Sequence, residues 1–251
     1  RSNRYKPARL RVRRIPKKQR NEYRTLRIPT VTDRVLQRAV LETLYGIYEP
    51  RFLDCSFGYR PGRGLRDAIQ RIVDLREEGR VWVLDADIDA FFDNVDHGVL
   101  LEMLRADLDD AILLRLIAGW LKMGRVRKDA PRGIPMGSPL SPLLANVYLH
   151  PLDETLAAEG WSPVRYADDF VVLTASQEQA RRAYRRAGEA LAALRLRYEP
   201  AKTRLTSFDE GFDFLGVRFY RDTYCYTWQE KTIEVEGEEV DWLFSRYGPD
   251  Y

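Results

Sequence analysis

The order of elements along the chain predicts an α+β fold. Its main sheet follows β-α-β-β-α-β, the split βαβ arrangement, with helices on one face. Three observations predict it. Val164-Arg165-Tyr166 and Phe170-Val171-Val172-Leu173 flank Ala167-Asp168-Asp169 so closely that the two strand-like runs read as one β-hairpin. An apolar run at 81–84 reads as a buried strand, with acids beginning where it ends. Around these strands, apolar residues recur at helical spacing.

The elements follow in order. Residues 9–29 read as paired strands broken by a turn near 18–21. Thr32 or Asp33 can cap a helix whose Val35, Leu36, Ala39, Val40, Thr43 and Leu44 recur at helical spacing. A Gly/Pro-punctuated loop at 56–64 precedes a second amphipathic helix at 65–78. Residues 1–80 thus form a first lobe. After the strand at 81–88, Asp96 can cap a helix at 97–107, and another covers 111–122. Residues 125–128 and 130–133 suggest a short basic hairpin. Ser141-Pro142 is a helix start, a cap followed by Pro at the first helical position, and the helix runs toward Pro151. Glycines in the 133–137 loop before it let backbone approach a ligand closely. A helix at 177–194 presents Arg181, Arg182, Arg185 and Arg186 as a solvated face. Strands near 196–208 and 213–220 complete a region spanning 81–220, into which part of the first lobe re-enters at 108–135. Residues 221–251 read as an acidic tail, or a linker to a further domain.

Composition bounds the class. With 251 residues, 45% hydrophobic and 31% charged, the chain can bury a full core and resembles an ordinary globular protein. No apolar run approaches the length of a membrane span, no signal peptide is expected, and a cytoplasmic location is. Cys55, Cys225, His97 and His150 match no zinc spacing. The net charge of +3 is lopsided: residues 1–27 hold twelve Lys/Arg against Glu22 alone, and residues 221–251 three bases against eight acids. In the basic arm, bases alternate with Leu10, Val12 and Ile15, the pattern of an ordered strand laid against phosphates.

The acids carry the chemistry. Asp168 and Asp169 at the hairpin tip repel, so a divalent metal is their natural partner. An Asp-Asp pair alone is weak evidence, since such pairs also cap helices and turns. Its weight comes from Val81-Trp82-Val83-Leu84-Asp85-Ala86-Asp87, where a buried strand can deliver Asp87 beside the hairpin. Three carboxylates of this kind suit two magnesium ions and phosphoryl transfer. Asp85 and Asp93 are expected to be solvated loop acids.

At these positions the chain resembles reverse transcriptases of the group II intron type. The resemblance rests on Ala86-Asp87-Ile88-x-x-Phe91-Phe92-Asp93-Asn94, on 133–146 (Gly133-Ile134-Pro135-Met136-Gly137-Ser138 onward), and on Arg165-Tyr166-Ala167-Asp168-Asp169-Phe170. Ile28-Pro29-Thr30-Val31-x-Asp33-Arg34, Ser56-Phe57-Gly58-Tyr59-Arg60-Pro61, Pro200-Ala201-Lys202-Thr203 and Phe214-Leu215-Gly216 extend it over about 10–220, in the family's order. The resemblance implies a right-hand polymerase fold of fingers (1–80) and palm (81–220), with no room for a helical thumb. It implies an RNA-directed DNA polymerase acting on an RNA template, a DNA or RNA primer and dNTPs. The cofactor is two Mg²⁺ ions, for which Mn²⁺ can substitute.

By the same resemblance Asp87, Asp168 and Asp169 are catalytic metal ligands, with the carbonyl of Ile88 an additional one. Lys17 and Arg24 grip the incoming triphosphate. Phe92 rejects a 2′-hydroxyl, unless it is simple core packing. Gly137 lines the nucleotide site, Lys202 is a candidate general acid to pyrophosphate, and Phe214-Leu215-Gly216 positions the primer end. Met136 stands where the family usually has Gln, near the nascent base pair; it alters discrimination or merely packs. Two rivals are a non-catalytic RNA-binding splicing cofactor and another palm-fold enzyme, such as an RNA-copying RNA polymerase or a nucleotidyl cyclase. The segment from Tyr226-Thr227-Trp228 to Asp241-Trp242-Leu243-Phe244 looks like reverse transcriptases joined to a CRISPR spacer integrase. An integrase or a thumb, in the same chain or as a partner, is therefore expected, the alternative being an intron-encoded maturase fragment.

Overall fold

A computed structural model of the chain describes residues 5–16, 23–125, 130–228 and 231–236. Strand β1 (Arg11–Pro16) pairs antiparallel with β2 (Tyr23–Ile28), in a register running from Arg11↔Ile28 to Pro16↔Tyr23. Every residue of β1 is exposed. The turn expected near 18–21, and Lys17 beside it, lie outside the described residues.

Helix α1 (Val31–Tyr48) starts earlier than predicted, because Thr30 is its cap rather than Thr32 or Asp33. The Thr30 hydroxyl accepts the Asp33 N–H, while the Asp33 carboxylate accepts the Thr30 hydroxyl at 2.7 Å and that of Tyr5. Asp33 is thus the third helical residue of a capping arrangement, not the cap. Helix α2 (Leu65–Glu77), strand β3 (Trp82–Ala86), the single turn α3 (Phe91–Asn94), and helices α4 (His97–Asp107) and α5 (Ala111–Gly124) follow. Asp96 caps α4 as predicted, accepting the N–H groups of Gly98 and Val99. The basic hairpin expected at 125–133 lies partly outside the described residues; within them, Arg132 bridges to Asp96.

Helix α6 (Ser141–Ala158) begins where Ser-Pro predicts but runs through Pro151 instead of stopping there. A mid-helix proline costs about 3 kcal/mol. Leu149, Leu152 and Leu156 are buried on either side of it, each contributing about 1.5–3 kcal/mol, which is enough to hold the helix through the break.

The rest of the chain is strand β4 (Ser162–Tyr166), β5 (Asp169–Thr174), helix α7 (Gln177–Ala193), then β6 (Arg204–Ser207), β7 (Phe212–Phe214), β8 (Val217–Tyr220), β9 (Thr223–Trp228) and β10 (Lys231–Glu236). The main sheet is antiparallel in the order β4-β5-β3-β6, the predicted split βαβ arrangement with β3 inside. Two expectations change. Residues 213–220 do not join this sheet but form a hairpin, and 223–236, expected as tail, add β9 and β10 to it. Together they make a second sheet, β10-β9-β8-β7.

The chain divides into two compact units, one of 1–52, 89–150 and 192–196, the other of 53–88, 151–191 and 197–251. In the second, Ile69, Ile72 and Val73 of α2 pack with Val83, Val171 and Leu173 of the main sheet and with Phe212, Phe214 and Phe219 of the other sheet. The alternate positions Leu84, Ala86, Phe170 and Val172 are equally buried. Burial on both faces explains why these strands read as continuous apolar runs. In the first unit, the buried Tyr148 hydroxyl accepts the Asp96 N–H (3.2 Å) and donates to the Leu194 carbonyl (2.5 Å). Among the described residues, no helix is long and apolar enough to cross a membrane.

Candidate catalytic centre

Strand β3 ends in the register Ala86↔Phe170 against β5. One residue further, that register brings Asp87 level with Asp169, where opposed Cα atoms lie about 4.5–5.5 Å apart. The backbone of Asp87 is gripped by the loop before β6. Its N–H donates to the Thr203 hydroxyl at 3.3 Å, and its carbonyl accepts the Glu199 N–H at 2.8 Å. That second bond belongs to the bridge between Ile88 and Tyr198; it uses the carbonyl of Asp87 and not that of Ile88.

The hairpin closes with Tyr166↔Asp169, leaving Ala167-Asp168 as a two-residue turn. Ala167 has φ 60°, the hand that two-residue hairpins need at their first central position and a conformation glycine usually supplies. Its carbonyl accepts Nη1 of Arg165 at 2.8 Å. Arg165 is 1% exposed and grips Asp153 of α6 with two bonds, Nε to Oδ1 at 2.8 Å and Nη2 to Oδ2 at 2.6 Å. Neither Asp153 nor this pairing is legible from the hairpin sequence.

Charge gathers at the strand ends. Crowding by protein, then the charges of Asp168 and Asp87, push the Asp169 carboxyl up to about 6, against the pull of Lys202. Asp169 itself is exposed, so water tempers both its desolvation and its repulsion by Asp168 and Asp87. Lys202 donates to Oδ2 of Asp87 at 2.6 Å. Asp85, expected as a solvated loop acid, lies inside β3 and pairs with Arg204 across the β3–β6 register at 3.1 Å. Burial raises its pKa and the Arg204 guanidinium holds it back.

The structure therefore brings Asp87, Asp168, Asp169 and Lys202 together in one unit. Among the described residues, no three His, Cys, Asp or Glu side chains converge as a metal cage as they stand; the cation on Asp87 is the Lys202 ammonium. The donor chemistry nonetheless fits a divalent ion, because mutually repelling carboxylates beside solvent gain most from a small, doubly charged partner. Phe214, in the same unit, is buried in the core, and Leu215-Gly216 form the β7–β8 turn with φ values of 52° and 83°. Of these three, only Gly216 is exposed, while Leu215 packs half-buried against the core.

The remaining site residues belong to the other unit. Arg24 is exposed on β2. Phe91 is buried against Tyr148, and the half-buried Phe92 ring stands edge-on to it at 5.3 Å. The Met136 carbonyl accepts the Arg27 N–H at 2.7 Å. Gly137 has φ 114°, and a Cβ there would meet the Arg27 carbonyl at 3.2 Å. The close approach at this glycine is made to β2. Asp93 pairs with Arg27 at 3.5 Å.

The sheet order, with acids at the end of its central strand and in the adjoining turn, defines a right-hand polymerase fold of fingers and palm. It matches telomerase of Candida albicans over 84% of this chain and 44% of that one, at 14% identity and a TM-score of 0.61. At the level of sequence, the family model "Reverse transcriptase (RNA-dependent DNA polymerase)" matches residues 15–219, and the chain belongs to that family of RNA-directed DNA polymerases. It is 31% identical to protein YkfC of Escherichia coli over 90% of this chain and 70% of that one. It is 35% identical to the group II intron-encoded protein LtrA of Lactococcus lactis over 80% of this chain, spanning 35% of that protein's length.

Proposed function

We propose that the chain adds dNTPs to a primer 3′-hydroxyl on an RNA template, with Asp87, Asp168 and Asp169 as its catalytic carboxylates. The observation that carries this reading is the register that sets Asp87 level with Asp169 beside the Asp168 turn. Two magnesium ions held by these carboxylates and the Ile88 carbonyl would lower the pKa of the 3′-hydroxyl and neutralise the leaving pyrophosphate. Lys202 neutralises Asp87 and, once released from it, can give a proton to pyrophosphate. Arg24 can grip phosphate oxygens in a two-bond fork. Primer extension with dNTPs on RNA tests the reading directly, and the same assay with NTPs separates it from an RNA polymerase.

Phe92 is assigned to sugar discrimination, its ring braced by Phe91. In Phe92→Ala, NTP incorporation relative to dNTP rises about 10- to 200-fold, the range a single apolar contact controls. An unchanged ratio of kcat/KM values assigns Phe92 to packing.

The exposed Arg11, Arg13 and Arg14 of β1 are assigned to phosphate contact. Replacing all three with Gln lowers the slope of log affinity against log salt by about 0.7–0.9 for each phosphate no longer neutralised. An identical slope in the substituted chain leaves the strand without that role. Of the finer contexts, the likeness to LtrA supports a group II intron setting, whereas spacer acquisition beside a CRISPR integrase, in a prokaryotic cytoplasm, rests on the resemblance of 226–244 alone. The coding neighbourhood, intron RNA or integrase, decides between them.

A further inference from the structure

We infer that the segment Ser56-Phe57-Gly58, together with Arg165, is a positioning device that sets the Ala167-Asp168 turn and thereby the cation affinity of the catalytic carboxylates. The inference rests on the metal-site reading above. Four contacts carry it, all within one compact unit. The Phe57 N–H donates to the Arg165 carbonyl and the Arg165 N–H to the Cys55 carbonyl, both at 2.8 Å, so the segment runs beside β4 as a parallel bridge. The Ser56 hydroxyl, fully buried, accepts Nη2 of Arg165 at 2.8 Å. The same guanidinium gives Nη1 to the Ala167 carbonyl, inside the turn. Finally, Gly58 lies so close to the turn that a Cβ there would stand 2.5 Å from the Ala167 backbone nitrogen and 3.0 Å from the Tyr166 carbonyl carbon.

The physical logic is that of a mould. Ala167 sits at φ 60°, which an alanine does not adopt without support. The Gly58 backbone fills the space behind the turn, and the Arg165 fork fixes the direction of its carbonyl. Asp153 holds the fork, since both its oxygens are bonded to Arg165 and both residues are buried. Arg60 closes the segment on itself, donating Nη1 to the Leu53 and Ser56 carbonyls at 2.6 and 2.9 Å. A turn held by the Gly58 backbone and the Arg165 fork presents Asp168 in one orientation, and supporting residues of this kind govern metal affinity without touching the ion. Ser56 therefore acts through its hydroxyl on the Arg165 fork, and Gly58 through the close approach of its backbone to the turn.

The test reads cation binding apart from catalysis. Tb³⁺ luminescence sensitised by the protein's tyrosines, displaced by Mg²⁺, is compared among the parent chain, Asp168→Ala, Gly58→Ala, Ser56→Ala and Arg165→Lys. Melting curves identify which variants are folded at the assay temperature. The parent gives a saturable signal that Asp168→Ala weakens. Folded Gly58→Ala and Arg165→Lys lose Mg²⁺ affinity by about 10- to 100-fold. In primer extension their kcat falls while template–primer affinity is unchanged, a split that general loosening of the fold does not produce. Ser56→Ala, which removes one hydroxyl, shows a smaller loss of the same kind and keeps the test decisive if either larger change prevents folding. Parent-like Mg²⁺ affinity in every folded positioning variant, with Asp168→Ala impaired, overturns this inference alone. A parent signal that Asp168→Ala leaves untouched overturns the metal-site reading, and the inference with it.

Discussion

Asp168→Ala reduces RNA-templated primer extension by about four orders of magnitude or more, the scale on which removal of a central catalytic group acts. The turn position of Asp168 makes the loss one of chemistry and not of structure. Its carboxylate raises the protonation tendency of Asp169 through repulsion, so its removal relieves that repulsion in the metal-free chain and leaves the melting temperature equal or higher. Single-turnover extension with dNTPs, read alongside template–primer affinity, checks both halves. Extension within about tenfold of the parent removes Asp168 from the mechanism.

Asp153→Ala has the largest expected effect on stability. It leaves the buried Arg165 guanidinium without its ion-pair carboxylate, and breaking a buried pair in this way costs about 3–5 kcal/mol. Against a total of about 5–15 kcal/mol for a native protein, that is a large fraction. Urea unfolding followed by circular dichroism measures it. The double change Asp153→Leu with Arg165→Met recovers much of the loss, because neither half of the buried pair remains. Recovery of folding does not restore the donor to the Ala167 carbonyl, so stability and extension part company in the double variant. A chain with Asp153→Ala as stable as the parent contradicts the account.

The features legible in the sequence are those set by neighbours along the chain. The 164–173 hairpin is readable because β-branched and aromatic residues flank a two-residue turn. The Asp96 cap is readable because capping needs only the next three residues. What escapes depends on distant partners. Nothing near Asp85 reveals that Arg204 lies opposite it in the register, so an acid inside a strand looks like one just beyond it. Nothing near Pro151 tells how deeply Leu152 and Leu156 are buried, and that burial is what carries α6 past the proline. The pairing of Lys202 with Asp87 and of Arg165 with Asp153 likewise requires the sheet to exist first. The acidic balance of 221–251 as a whole hides the Thr, Tyr, Trp, Ile and Val residues that make 223–236 strand-like.

The position of β3 inside the main sheet has a consequence for how the protein is born. This strand leaves the ribosome before either of its neighbours, and Asp85 waits for Arg204, 119 residues later. At about 5–20 residues per second that is a delay of about 6–24 s; the strand's other neighbour, β5, arrives sooner, and until β5 is made the apolar stretch at 81–84 has no strand beside it. Pairings this far apart in sequence also slow folding, since a long loop must close before any contact rewards it. Nascent chains stalled before β5 at residue 169 should therefore be sticky and dependent on chaperones, whereas those stalled well past β6 at residue 207, with both neighbours of β3 made, should resist protease.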